Sequence, residues 1–493
     1  MRREDDVNTE LIGGCEVEHL CGPEVIAYRD DELVVVCLVR DGEPWVKAFV
    51  EHYISLGARH LVFLDNNSGD GTVSAASEYD DVTVLRVALP FDADVDGTRG
   101  QVVMRKYLIE RFGKGRWSLC VDIDELFDYP YSDVIGLESL LGYLDSKSYT
   151  AVVAQMLDMF PERPLLELAD GPDEPLKEVH RFYDISGLER VSRKERSRRL
   201  STDNITLESD EIEWFSGGLR RTIFDLPGPW LTKYPLVFYD GSLEPVPPHG
   251  VRNARIADLS CVLFHYKFLK NFREQAVRAV REEQYHSKSR AYKRYLDTLE
   301  QNPDLRLRLE SSKEIVSVNE LLESRFLVAS EDYVGWVDAE EERSFSNAVL
   351  QAEPGVSAEA FLRSRRRERA MTLRVGKLEH RLLVRERQHK RKKMAKSRRI
   401  RTLQRKLGDR AQEIQDLERQ ALDREQRITV LERKLRDRGR RLRVFKRRTQ
   451  HLRQQNDSLK QQIENVEASR VGRVISIIHR IKTHLRSLIW RSS

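Results

Sequence analysis

Apolar positions in this chain fall into short blocks divided by polar turns. Leu33–Val39 is apolar at every position, as expected of a strand covered on both faces rather than one with a wet side. Pro44 follows at a place where a helix can begin, because a first-turn residue has no N–H bond to lose. Trp45, Ala48, Phe49, Tyr53, Ile54 and Leu56 then recur at helical spacing until Gly57. His60–Leu64 reads as a second strand, 65–71 as a turn-rich loop, and Thr72 as the start of a helix. Val82–Val87 and Ser118–Val121 read as further strands, with a helix over Gln101–Phe112 between them. This alternation predicts an α/β fold, a mostly parallel doubly wound sheet. Ligands of such sheets bind at the carboxyl ends of the strands.

The pattern changes along the chain. Residues 1–31 read as a polar lead-in, and 32–345 as the α/β domain. Within it, 163–216 reads as a flexible insertion with a basic cluster at Arg190–Arg199, and 271–345 as a helical end. Residues 346–399 read as a basic helical linker. From Ile400 a heptad repeat runs to 469, with Ile400 at position a. Its a sites are apolar except Thr449 and Asn456, and its d sites except Arg410, Arg424 and Arg438. Ten heptads predict a left-handed coiled coil and a homodimer. Branched residues at a with Leu at d favour a parallel pair, and Asn456 would fix register. The three arginines weaken the seam, and coil orientation stays open. A long solvated single helix is the alternative. Residues 470–493 carry a wide apolar face (Val474, Ile475, Ile478, Ile481, Leu485) flanked by Arg473, Arg480, Lys482 and Arg486, with Trp490 near the end. That composition suits a helix lying in an anionic membrane interface, or one packing on protein.

Charge sharpens this division. From Phe361 to Ser493 there are 42 Lys+Arg and 14 Asp+Glu, a net +28, so residues 1–360 carry −24 of the whole chain's +4. The basic part should seek anions, with Arg363–Arg369 and Lys390–Arg401 as candidate lipid-headgroup contacts. No zinc module or aromatic interleaving supports nucleic acid as a partner. Five scattered cysteines fit a reducing compartment. Met1-Arg-Arg-Glu-Asp-Asp does not open a signal peptide, and no apolar run is long enough to span a bilayer. The expected location is cytoplasmic, peripheral at the inner face of the membrane.

The candidate chemistry lies where Trp117–Val121 ends in Asp122-Ile123-Asp124-Glu125. Carboxylates at i and i+2 beyond a strand can share one Mn²⁺ or Mg²⁺ and leave open positions for phosphate oxygens. Asp65 ends another strand of the same sheet, which argues for a shared site.

The segments Arg40-Asp41-Gly42-Glu43-Pro44-Trp45 and Asp65-Asn66-Asn67-Ser68-Gly69-Asp70-Gly71-Thr72 resemble the opening of family 2-like glycosyltransferases. The likeness continues through Asp122-Ile123-Asp124, Ser216-Gly217-Gly218-Leu219-Arg220, Lys233-Tyr234-Pro235-Leu236 and Leu263-Phe264-His265-Tyr266-Lys267. It covers roughly residues 33–270, and Gly42 is an insertion relative to the family's pattern. The resemblance implies a GT-A fold, a nucleotide-sugar donor and a divalent metal. It places Arg40 and Glu43 beside the nucleotide, Asp65 on the base, and Asn67 and Asp70 in the loop that shapes the site. It places Asp122 on the ribose or metal and Asp124 on the metal. Gln101 and Arg105 are candidates to face the nucleotide. His265 is the first candidate for a late metal ligand and His249 the alternate, and imidazole suits Mn²⁺ better than Mg²⁺. Lys233 would neutralise the leaving diphosphate. A base is needed for the acceptor hydroxyl, for which Asp158 and Asp225 are candidates, while Glu125 can brace the acidic turn.

The expected function is transfer of a sugar, with inversion, from a UDP-sugar to a hydroxyl of a saccharide or lipid-linked acceptor. The alternatives are an inactive glycosyltransferase-like scaffold acting through its basic coil, and a nucleotidyl- or phosphosugar-transferase.

Overall fold

The computed structural model describes residues 10–168, 175–191, 205–246, 249–282, 286–351 and 358–489. The chain divides into two units, 1–384 and 385–493. The first holds an 11-stranded sheet. Its strands are β1 (Leu11–Ile12), β2 (Cys15–Cys21), β3 (Val34–Val39), β4 (His60–Asp65), β5 (Val82–Val87), β6 (Trp117–Val121), β7 (Glu125–Asp128), β8 (Ala151–Asp158), β9 (Ile205–Leu207), β10 (Thr232–Phe238) and β11 (Ala254–His265). They lie in the order β1-β2-β5-β4-β3-β6-β10-β8-β11-β9, with β7 also on β11. The run β5-β4-β3-β6 is parallel, as are β8-β11 and β11-β9, whereas β10 joins β6 and β8 antiparallel.

The all-apolar strand sequences follow from two-sided burial. Val35, Cys37 and Val39 face one core with Phe49 and Tyr53 of helix α1 (Glu43–Leu56). Val34, Val36 and Leu38 face the other with Met104 and Leu108 of helix α3 (Gly100–Phe112). The short helix α2 (Thr72–Ala76) and α4 (Leu137–Ser146) complete the layers used below.

Two expectations are corrected here. The polar lead-in contains β1 and β2: β2 pairs antiparallel with β5 at the sheet edge, and Ile12 is buried. An edge strand with one wet face has the alternating composition of Cys15-Glu16-Val17-Glu18, which reads as polar. The insertion 163–216 is also not a plain flexible loop. Among its described residues Phe182, Tyr183, Trp214 and Phe215 are buried, Leu188–Val191 pairs with Trp214–Gly217, and β9 lies parallel to β11. Residues 192–199 of the basic cluster lie outside the described residues.

The helical end contains α5 (Phe272–Glu282), α6 (His286–Gln301) and α7 (Glu331–Gln351). The first turns of the long helix α8 (Ala358–Ala468) meet acids of α7. Arg366 reaches Glu342 at 2.6 Å, and Arg369 reaches Asp338 at 2.5 Å and also Glu341. The Arg369 side chain is only 6% exposed and lies over the Tyr131 ring. The basic stretch Arg363–Arg369, expected to seek lipid headgroups, thus has an internal anionic partner. Arg369→Met takes from half-buried Asp338 its cation and leaves Glu341 only Arg365, 3.8 Å away. We expect a loss of about 2–3 kcal/mol, read as a lowered urea midpoint of the full chain.

In the second unit α8 continues to Ala468, and α9 runs Arg470–Ile489. Gly472 lies in the first turn of α9, just after the break at Ser469. A Cβ there would lie 1.7 Å from the Val466 carbonyl oxygen, so no other residue fits. No helix among the described residues is long and apolar enough to cross a membrane.

Candidate active site

The acidic turn is built by backbone bonds. The Glu125 N–H donates to the Asp122 carbonyl at 3.0 Å, and the Glu125 carboxylate accepts the Asp122 N–H at 3.3 Å. The Tyr53 hydroxyl donates to the Glu125 carbonyl at 2.9 Å, and the Tyr266 N–H to the Asp124 carbonyl at 2.8 Å. Because β7 pairs with β11, Glu125 lies across from His265. The strand-end acids and the late histidine, far apart in sequence, therefore share one place.

Charges alternate across this place. Asp122 accepts from Arg105 at 2.5 Å and from Lys233 at 2.7 Å, so both its oxygens are engaged. Lys233 also reaches Glu125 at 2.5 Å. Asp124 meets His265 Nε2 at 3.1 Å, and His265 Nδ1 meets Asp158 at 2.6 Å. Arg220 closes the row on Asp158 at 3.0 Å. Burial would raise Asp122, but Lys233 and Arg105 outweigh it and hold the carboxyl far below its usual range. Burial likewise opposes ionisation of Asp158, yet Arg220 and His265 bring it down to about 2. Burial pushes Glu125 up against the pull of Lys233, aided by the charges of Asp122 and Asp124. His265 is raised despite burial, because Asp124 and Asp158 both favour its charged form. A narrow cleft lined by Arg105, Asp122, Glu125 and Lys233 opens beside the row.

One ligand atom each from Asp124, Glu125 and His265 lies within 4.8 Å of the others. Two carboxylates and an imidazole form a donor set that fits a divalent metal, Mn²⁺ more readily than Mg²⁺. Asp158 binds the second ring nitrogen of His265, as carboxylates do behind metal-bound histidines. Asp122, expected to share the metal, is held instead by two cations, and the alternate ligand His249 is not in the group. His249 Nδ1 lies 3.1 Å from the Thr232 carbonyl, and burial with the neighbouring Lys233 pushes it down to about 3.

No family model matches this chain, and no curated protein matches it. Among solved structures, a nucleotidyl transferase from Methanothermobacter thermautotroptrophicus is 12% identical, with a TM-score of 0.16 over 27% of this chain and 63% of that one. The chain thus matches less than two thirds of that protein's length. A likeness this low carries no argument about function.

A second cluster lies at the ends of β3 and β4. The loop after β3 is laced to 65–72. Gly69 N–H donates to Asp41 at 2.8 Å, Gly71 N–H to Glu43 at 3.0 Å, Glu43 N–H to Asp70 at 3.2 Å, and Gly42 N–H to the Thr72 hydroxyl at 2.7 Å. Gly42 is required by close approach, since a Cβ would lie 2.6 Å from Val39 Cγ2 and 3.0 Å from Ile123. Asp65 is fully buried and accepts from Arg86 at 3.0 Å and from the Ser68 N–H at 3.3 Å. Asn67 is exposed with φ +54°, the left-handed region that Asn tolerates. Arg40 is 3.9 Å from Glu282 of α5. Gln101 accepts from Arg105 at 3.1 Å, and it is Arg105 that reaches the acidic turn at Asp122.

The two base candidates do not behave alike. Asp158 is pinned between His265 and Arg220, whose charges lower its pKa and so weaken it as a proton acceptor. Asp225 has an 85% exposed side chain paired with Arg294 at 2.9 Å, and no member of the row is its partner. The sequence reading missed Arg220, Asn66 and Asp41 as organisers. Arg220 stood in a quoted motif, which was the available signal. Asn66 donates to the Val87 and Leu89 carbonyls at 3.0 and 2.7 Å, and nothing in the sequence marks it above Asn67.

His52 braces the strand that carries Glu125. Its Nε2 lies 2.7 Å from the Phe127 carbonyl, and Lys177 Nζ lies 2.8 Å from its Nδ1. Burial and Lys177 push its pKa down to about 3. An unfolded His takes its proton near 6.5, so the folded state loses stability as pH falls from there towards 3. Between pH 7 and 5 the wild type should lose about 2 kcal/mol more than His52→Gln, measured by urea unfolding at both pH values.

Proposed function

We propose that the chain is a metal-dependent glycosyltransferase of the family 2-like, GT-A class. It moves a sugar, with inversion, from a UDP-sugar to a hydroxyl of a saccharide or lipid-linked acceptor. The observation that carries the reading is the Asp124, Glu125 and His265 group at the carboxyl edge of the sheet, beside the laced loops after β3 and β4. In this reading those three residues hold Mn²⁺ or Mg²⁺, which supplies Lewis-acid stabilisation of the departing diphosphate. Asp158 and Arg220 keep His265 turned towards the site. Lys233 and Arg105 fix Asp122 beside the metal group, and Lys233 adds positive charge where the diphosphate leaves. The loop 65–72, braced by Glu43 and Asp41, frames the base. Asp65 contributes through the loop it holds.

The second unit serves location and assembly. Val474, Ile475, Ile477, Ile478 and Ile481 of α9 are more than half exposed, with Arg473, Arg480 and Lys482 on the same helix. That face suits an anionic bilayer surface at the cytoplasmic side. The heptads of α8 suit a homodimer. Trp490 lies outside the described residues.

Calorimetric titration of UDP into the full chain tests the donor class. With Mn²⁺ present, saturable binding is expected, and EDTA should abolish it. Binding unaffected by EDTA, or no binding with metal, contradicts the reading.

A further inference from the structure

The coil reading leaves open how two copies meet, and the layers of α8 decide it. The seam is exposed along the helix, with Leu407 at 73%, Leu435 at 75% and Phe445 at 68%. A parallel, in-register pair sets each a or d residue against its own copy. Arg410, Arg424 and Arg438 would then each face themselves across the core. The flanking g–e pairs would also clash, because Glu413 would meet Glu418, Arg441 would meet Lys446 and Arg448 would meet Arg453. Arg427 with Glu432 is the one attraction among them. Like charges in facing positions oppose that pairing.

Reversing one helix sets a against d. When Ile400 faces Val466 of the second copy, the two ends of the repeat coincide and no seam arginine faces another. Arg410 faces Asn456, joining the polar seam residue nearest one end with its counterpart near the other. Ala421 faces Phe445, small against large, as close packing asks. Leu407 faces Leu459, and Leu431 faces Leu435. Arg424 and Arg438 face Leu442 and Ile428, where their alkyl stems can lie on the seam while the guanidinium reaches water. The flanks are mixed: Glu418 attracts Lys446, while Arg427 meets Arg441 and Glu432 and Lys434 each meet their own copy. The core layers therefore carry the choice.

We infer that α8 pairs with a second copy of this chain as an antiparallel coil in this alignment. The inference rests on the homodimer reading above and adds its orientation. It puts residue 400 of the two copies roughly 100 Å apart, from 1.5 Å rise per residue. The described cysteines Cys15, Cys21, Cys37, Cys120 and Cys261 all precede α8, so new cysteines on it report the seam.

The experiment uses the full chain and three samples under mild oxidation: Leu407→Cys, Leu459→Cys, and the two mixed after exchange of subunits. Unsubstituted protein is the background. Sedimentation fixes the mass first. The expected result is a dimer in which neither variant alone gives a covalent pair and the mixture does. A dimer in which Leu459→Cys crosslinks to itself, or in which the mixture fails to crosslink, overturns the orientation and leaves the homodimer standing. A monomer overturns both.

Discussion

Lys233→Met should destabilise the full chain by about 3–5 kcal/mol, the cost typical of stranding buried charge. The Lys233 side chain is 6% exposed and sits between Asp122 at 2.7 Å and Glu125 at 2.5 Å. The Glu125 side chain is 1% exposed, so water cannot replace the missing ammonium. Arg105 still holds one Asp122 oxygen, but Glu125 has no second cation so close. Glu125→Gln in the same chain removes the stranded charge, so the double variant should recover part of the loss. Urea unfolding of the four members of that cycle measures the coupling. A single-variant loss below about 1 kcal/mol would mean that the carboxylates find another partner, and the charge row would not be the frame of the site.

Asp158→Asn should weaken Mn²⁺ binding about 10–100-fold, the usual effect of removing the carboxylate behind a metal-bound histidine. Asp158 meets His265 Nδ1 at 2.6 Å and Arg220 at 3.0 Å, and its side chain is 4% exposed. The amide keeps the shape but not the charge, so His265 loses its anchor while the sheet register is retained. Asp225→Asn is the control, because its exposed carboxylate pairs with Arg294 away from the row. Metal titration followed by heat, with circular dichroism on the same samples, separates loss of ligand geometry from loss of fold. Equal affinities for both variants would remove Asp158 from the metal's support.

The parallel heart of the sheet was legible because strands covered on both faces are apolar at every position. Leu33–Val39 and His60–Leu64 could be read as strands from that alone. The edge strand Cys15–Cys21 was hidden by its wet face, and Trp214–Gly217 by the polar stretch around it. Asp124 and His265 could be named in advance, but their meeting depends on β7 pairing with β11, which no local pattern specifies. The division of labour within the acidic turn was also hidden. Lys233 lies 111 residues from Asp122 in the chain, and its position decides which carboxylate is held by cations. Arg363–Arg369 gives the same lesson, since a basic run looks free until α7 supplies Asp338 and Glu341.

A metal held by the Asp124 group for a nucleotide-sugar reaction can be read from hydrolysis across a panel of nucleotide sugars with Mn²⁺, wild type beside Asp124→Ala. Slow, Mn²⁺-dependent turnover of one donor class is expected, with UDP-sugars foremost, and a fall of at least about 100-fold in Asp124→Ala. Turnover that persists in Asp124→Ala, or a wild type that neither hydrolyses nor binds any nucleotide with metal, would contradict it.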